Sequence, residues 1–195
     1  MPALTRSGRK DATRLRIIKT AQAQFVKDGI IKAKTSDIAS AAGLAHGTIF
    51  VHFPTREILL VEAVKDFGRK ITERIHELEA MAGNTREILE AHISGLSLFE
   101  SFYTRLVTEG PLLPAQARQE LLMIQSAVSY HLNGAVQRDI AAGRLKRVPI
   151  HLVFNTWIGL IHYYLVNRDM FSGGGPVLER YRDELLDFFM GLISR

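Results

Sequence analysis

Apolar residues recur at three- and four-residue spacing along nearly the whole chain, interrupted by stretches rich in Gly and Pro. Leu15, Ile18, Ala21 and Phe25 set the first stripe, with Arg14, Arg16, Lys19 and Lys27 among the polar positions and Gly29 as a stop. Ile58, Val61, Val64, Phe67, Ile71, Ile75 and Leu78 trace a longer one. Nothing alternates at period two for long enough to argue a sheet, so the expected fold class is all-α. Helices are expected at about 11–28, 36–42, 46–52, 56–80, 86–107, 115–142, 149–169 and 177–194. Their separators "AGNT" (82–85), "EGPLLP" (109–114), "AGRLKRVP" (142–149) and "SGGGP" (172–176) are turn chemistry. Thr35 is the expected N-cap of the second helix, and Gly43 its breaker.

At 195 residues the chain can bury a sizeable core. It contains no cysteine, which excludes disulfides, thiolate catalysis and Cys-based zinc sites. Its net charge of +5 is unevenly placed. Residues 1–56 hold ten Lys or Arg against three acids, and residues 57–195 hold fifteen against seventeen. The positive excess thus lies in the first third, which suggests a nucleic-acid or anionic-surface contact there. "MPALTRSGRK" has no apolar core of a signal peptide. The most apolar run, Ile150 to Val166, is interrupted by His151, Asn155, Thr156 and His162 and is short for a membrane span. A cytoplasmic protein with no membrane partner is the expectation.

"AAGLAHGTIFVHFPTREIL" (Ala41 to Leu59) is a poor helix by propensity, because Gly47 sits among β-branched and aromatic residues. Read as helix, tight turn, helix from Thr35 to His52, it becomes intelligible. Ala39 is the small residue at the crossing, Gly43 makes the turn, and Ile38, Leu44, Ile49 and Phe53 face a core that overrides propensity. Ala45, His46, Gly47, Thr48 and Val51 then project outward and are small or short. Such a face can lie close to a major groove, read through hydrogen bonds and methyl contacts.

"TSDIASAAGLAHGTIFVHFPTREILLVEA", with the preceding "RIIKTAQAQFVKDGI", resembles the DNA-binding domain of the tetracycline-repressor (TetR) family. The family pattern is matched at Thr35, Ile38, Ala39, Ala42, Gly43, Gly47, Thr48, Phe53, Arg56, Glu57 and Leu59. The resemblance spans about 11–60 and is specific for that length. It implies a helix-turn-helix DNA-binding domain over 1–56, with a basic arm at about 1–10 carrying Arg6, Arg9 and Lys10. A helical ligand-binding and dimerisation domain would follow over 57–195, linked by the helix at about 56–80. It implies 46–52 as recognition helix, with Thr35, Ser36, Thr48, His52 and Arg56 on the phosphate backbone. Two positions depart from the family. Phe50 replaces a common Tyr and cannot donate to a phosphate, and Ala45 replaces a common Ser and cannot cap.

The C-terminal third carries two strongly apolar helices. "VPIHLVFNTWIGLIHYYLVNRDMF" is apolar nearly all round, and "PVLERYRDELLDFFMGLI" has an i, i+3, i+4 stripe. Together they suggest half of a four-helix bundle completed by a symmetry mate. The expected dimer-interface residues are Leu152, Trp157, Leu160, Leu178, Tyr181, Leu185, Phe188, Phe189 and Leu192. A pocket for a hydrophobic or aromatic effector would be lined from His92, Phe99, Phe102, Tyr103, Tyr130, His131, Trp157, His162 and Tyr163. No His pair has zinc-site spacing, and neither a G-x-S-x-G elbow nor a P-loop is present, so no metal, cofactor or catalytic residue is expected. The expected function is a homodimeric, effector-released repressor on a near-palindromic operator in double-stranded DNA. An activator of the same fold is the alternative. More distant rivals are an enzyme using His131 or His162 as general base and a membrane-surface module using the basic first third.

Overall fold

The computed structural model describes residues 5–81 and 83–195. The described chain is helical, as the apolar spacing requires. It runs α1 (Arg6–Asp28), α2 (Thr35–Ala41), α3 (His46–His52), α4 (Arg56–Ala80), α5 (Thr85–Leu98), α6 (Glu100–Thr108), a 3-10 turn (Gly110–Leu112), α7 (Ala115–Ala141), α8 (Ile150–Val166), α9 (Arg168–Ser172) and α10 (Val177–Ile193).

Three boundaries differ from expectation, each for a local reason. The first helix begins earlier, because the Thr5 hydroxyl accepts from Gly8 N–H at 3.2 Å and caps it. The expected arm is therefore helix from Arg6 onward, and residues 1–4 lie outside the described residues. The helix expected over 86–107 divides at Phe99, whose φ of −124° leaves the helical region. That break aims Glu100 at the start of α10, where its carboxylate accepts from Val177 and Leu178 N–H, both at 2.8 Å. A carboxylate at a helix N-terminus satisfies orphan amides and suits the dipole. The helix expected over 149–169 likewise stops at Asn167 (φ −105°), leaving α9 as a short separate turn.

One contiguous core runs from α1 to α10. Phe67 on α4 joins its two ends, meeting Phe99 at 6.0 Å, Phe102 at 5.9 Å and Tyr103 at 5.4 Å between ring centroids. Such aromatic contacts contribute beyond their area. The crossing of α4 on α7 is close. A Cβ on Gly68 would collide with the Ile124 side chain, which would have to shift to admit one. α5 is anchored by a capping box, with Asn84 Oδ1 accepting from Glu87 N–H and Glu87 reaching back to Asn84 N–H. Buried Asp139 accepts from Thr85 N–H at 2.9 Å and pairs with Arg144. Burial pushes that carboxyl up, but the hydrogen bonds from Thr85 and Arg144 outweigh it and hold it below its usual range.

Candidate nucleic-acid interface

The helix-turn-helix forms for the reasons read in its residues. Ile38, Ala39, Ile49 and Phe53 are all buried in the core cluster that α1 and α4 also enter. Gly43 takes a φ of +64°, a left-handed position that L side chains rarely adopt. Leu44 N–H bonds Ala39 O at 2.9 Å and Gly43 N–H bonds Ser40 O at 3.0 Å, closing α2 with a Schellman turn.

The outward face of α3 is the face expected. Ala45, His46, Gly47 and Phe50 are exposed, and Val51 is 74% exposed. A Cβ on Gly47 would meet nothing within 4 Å, so the fold itself does not demand glycine there. Ala45 is the N-cap of α3 without a side-chain cap bond, as its missing hydroxyl implies. Phe50 is held edge-on to His46, with ring centroids 5.2 Å apart. Thr35 departs from its expected part. Lys34 is the N-cap of α2, and the Thr35 hydroxyl instead meets His46 Nε2 at 3.0 Å, tying the start of α2 to the start of α3. Ser36 is exposed, with its hydroxyl on Asp37.

Arg56 faces inward instead of toward solvent. Its Nε donates to Ala33 O at 3.1 Å and its Nη2 to Ile30 O, so the guanidinium holds the turn between α1 and α2. The expectation placed Arg56 on a phosphate; here its Nε and Nη2 meet these two carbonyls. Sequence reading also missed Arg14. Its Nη1 donates to His52 O at 3.0 Å, its Nη2 pairs with Glu62, and its guanidinium lies 4.4 Å from the Phe53 ring centroid. One side chain thereby fixes the end of α3 to α1 and α4. Burial, then Lys10, then Arg14 push the His52 imidazole below its ordinary pKa. Lys32 and Lys34 are exposed beside the N-terminus of α2 and form no ion pair among the described residues.

A second set of contacts ties this head to the rest of the chain. Arg105 on α6 donates through Nε and Nη2 to Val26 O, at 3.2 and 3.1 Å. Glu109, just past α6, accepts from Ile30 N–H at 3.2 Å and Ile31 N–H at 2.9 Å. The turn carrying those amides is the one Arg56 grips from the other side. Neither Arg105 nor Glu109 has a local sequence signal, because their partners lie far away in the chain.

The residues expected to line an effector pocket separate into three groups. His92, Tyr103 and Trp157 are buried, and His162 is half-buried beside them. Trp157 Nε1–H donates to His92 Nδ1 at 3.0 Å, and the Tyr103 hydroxyl meets His162 Nε2 at 2.7 Å. Burial, then the neighbouring His162, lowers the His92 pKa to about 3, and burial lowers that of His162 as well. Burial raises the Tyr103 hydroxyl out of its usual range. Phe99 and Phe102 line a different cleft, against α1, with a volume of about 350 Å³. Tyr130 and Tyr163 are 73% and 56% exposed and line neither the polar cluster nor the cleft, contrary to expectation. His131 lies on α7 with its ring 5.4 Å from those of His76 and Tyr130.

The expected dimer-interface residues also divide. Trp157, Leu178, Leu185 and Phe189 are buried inside this chain, so they cannot lie on an open face; one side of the all-round apolar pattern of α8 packs within this protomer. Leu152, Phe188 and Leu192 are exposed, and Leu160 and Tyr181 half-buried.

The sequence model of the bacterial regulatory proteins of the tetR family matches residues 17–63, which contain the helix-turn-helix just described. Over these residues the chain is similar to the DNA-binding domain of the TetR family. A fatty acid metabolism regulator protein of Bacillus subtilis is 26% identical over 177 residues, 85% of this chain and 91% of that one. Three further regulators match over 30%, 45% and 47% of their own lengths. Among solved structures, the TetR-family regulator PfmR of Thermus thermophilus superposes with a TM-score of 0.76 at 18% identity, covering 90% of this chain and 97% of that one. FadR of Bacillus subtilis, solved with stearoyl-CoA, superposes with a TM-score of 0.73 at 22% identity and the same coverages. These likenesses establish the TetR fold beyond the matched head. These relatives are transcriptional regulators. Among the described residues no helix is long and apolar enough to cross a membrane.

Proposed function

We propose that the chain is a dimeric, effector-responsive transcriptional repressor that reads a near-palindromic operator with α3. The observation that carries this is the division of α3 into a buried side (Ile49) and an open side (His46, Gly47, Phe50, Val51) that the fold leaves unoccupied. An α-helix fits the major groove, and small side chains let this one approach closely. Thr35, Ser36, Thr48 and His52 border that face and would contact phosphates, with Lys32 and Lys34 beside them as additional cations. Arg56 and Arg14 hold the helix in place from behind. The head would extend to the start of α4, and the remainder would form the effector and dimerisation domain.

Dimerisation is supported by one open face built from two helices. On α8, Leu152, Tyr163 and Val166 are 49%, 56% and 53% exposed, and on α10, Phe188 and Leu192 are 60% and 49% exposed. Gly159 and Gly191 lie on the same two faces, with no atom within 4 Å of a Cβ at either. A second copy would complete a four-helix bundle there. Two recognition helices would then address half-sites about 34–36 Å apart or at a larger spacing.

The effector is a hydrophobic or aromatic small molecule. The B. subtilis FadR solved with stearoyl-CoA supports an apolar ligand for this domain. Release follows if the ligand prefers a state in which the two heads no longer match the half-sites. Fluorescence anisotropy against the DNA flanking its own gene and a scrambled duplex, at two salt concentrations, tests the reading. Both affinities should fall with salt, and the preference for the flanking DNA should persist at about 10³-fold or more. Weak and equal binding to both would refute it.

A further inference from the structure

We propose that the cleft between α1 and the effector domain is a binding site for a small apolar or aromatic monocarboxylate, with Arg168 as its anion-binding group. Its walls come from both parts of the molecule: Gln22, Ala23 and Val26 on α1, Phe99 and Phe102 across from them, and Arg168 at the start of α9. The 174–176 segment forms its rim. A volume of about 350 Å³ falls at the lower end of small-molecule sites, which span roughly 300–1,000 Å³. The site is separate from the cluster of Tyr103, His162, His92 and Trp157, whose polar atoms bond one another.

Arg168 is the group in the lining that can receive an anion. Glu100 also lines the cleft, but both its oxygens accept from amides of α10. Glu179 is the second carboxylate of the lining, and the nearby Arg182 pairs with Asp183 at 2.9 Å. Arg168 is the one cation in the lining, and its guanidinium's only ion contact among the described residues is Nε to Asp169 at 4.0 Å. A planar guanidinium with free N–H groups beside an apolar wall matches a carboxylate on an apolar body. Half-buried Phe99 and the largely buried Phe102 are the aromatic residues of the lining beside that body.

The position gives the site a consequence. Val26 forms part of the wall, and its carbonyl is the one held by Arg105. Glu109, one helical turn beyond Arg105, grips the turn that leads into α2. A ligand that binds best with α1 shifted away from α6 therefore biases the reading head. This last step rests on the regulator reading; occupancy of the cleft does not.

Calorimetry with 4-phenylbutyrate, without DNA, tests occupancy alone. Binding is expected to the wild type and to weaken about tenfold or more in Arg168→Gln. Ala23→Trp, an exposed wall position filled from outside, should abolish it. 4-Phenylbutanol and 4-phenylbutylamine should bind more weakly than the acid, and Tyr103→Phe should leave binding unchanged. Absence of binding, equal binding by the wild type and both cleft variants, or an acid no better than the alcohol or the amine would overturn the proposal. Loss in Tyr103→Phe with retention in Arg168→Gln would place the ligand in the core cluster and overturn it as well. A failure of operator binding in the anisotropy experiment would leave these outcomes readable.

Discussion

The outward face of α3 and the polar cluster behind α6 are built on opposite principles. In the cluster each polar group has an internal partner: Trp157 on His92, Tyr103 on His162, and Gln125 Nε2 reaching the Tyr103 hydroxyl at 3.5 Å. Such groups can be buried only because they are paired. On α3 the outward side chains do little for the fold, as 74% exposure of Val51 and the empty space beside Gly47 show. Side chains the fold does not use are free to serve a partner, whereas those of the cluster are committed to stability. Substitutions should therefore act on stability in one region and on DNA selectivity in the other.

The largest effect should come from Trp157→Ala. Removing a wholly buried indole and stranding His92 should cost about 3–5 kcal/mol, read as a lower denaturant midpoint. Arg14→Ala should blur the division, since Arg14 serves both fold and face. Loss of its bond to His52 O, its pair with Glu62 and its stacking on Phe53 should cost about 1–2 kcal/mol and lower operator affinity about tenfold. Lost affinity at unchanged stability would mean that Arg14 contacts DNA directly.

The cluster should also make the fold sensitive to acid. His92 titrates near 3 in the folded chain because it is buried next to His162, and near 6.5 when unfolded. The unfolded state thus binds the extra proton, so its contribution is complete above about pH 6.5 and is lost as pH falls toward 3. Between pH 6.5 and 5 stability should fall by about 2 kcal/mol from this group alone. His162, lowered by burial, acts with the same sign. Denaturant melts across that range should show the slope, and His92→Gln should remove its share.

Glu109→Ala addresses the joint between the two regions. The amides of Ile30 and Ile31 lose their acceptor, and their hydrogen exchange should quicken about tenfold while global stability changes by roughly 1 kcal/mol. Val51→Ala should have the smallest effect on the fold, within about 0.5 kcal/mol, while altering base preference.

The same division governs what could be read from sequence. Helix periods, the turn at Gly43 and the inward placement of Ile49 are local, and residue spacing carried them. The break at Phe99 was hidden because nothing in "LSLFESFY" stops a helix; its cause is Glu100 reaching amides at Val177 and Leu178. Arg56 sits where the family pattern has a basic residue, yet its guanidinium follows three-dimensional neighbours, the carbonyls of Ile30 and Ala33. Apolar stripes cannot tell a protomer core from a dimer face, which is why Phe188 and Phe189, adjacent in sequence, separate into 60% and 1% exposed.

The most direct test of the central claim is selection of bound duplexes from a random library by the wild type, Val51→Ala and His46→Ala, each shown to be folded. The account predicts one enriched near-palindrome for the wild type, with half-sites at least about 34–36 Å apart. Each variant should relax preference only at symmetry-related positions within the half-sites. No enriched palindrome, or identical preferences in all three proteins, would contradict the assignment of α3 as the reading helix.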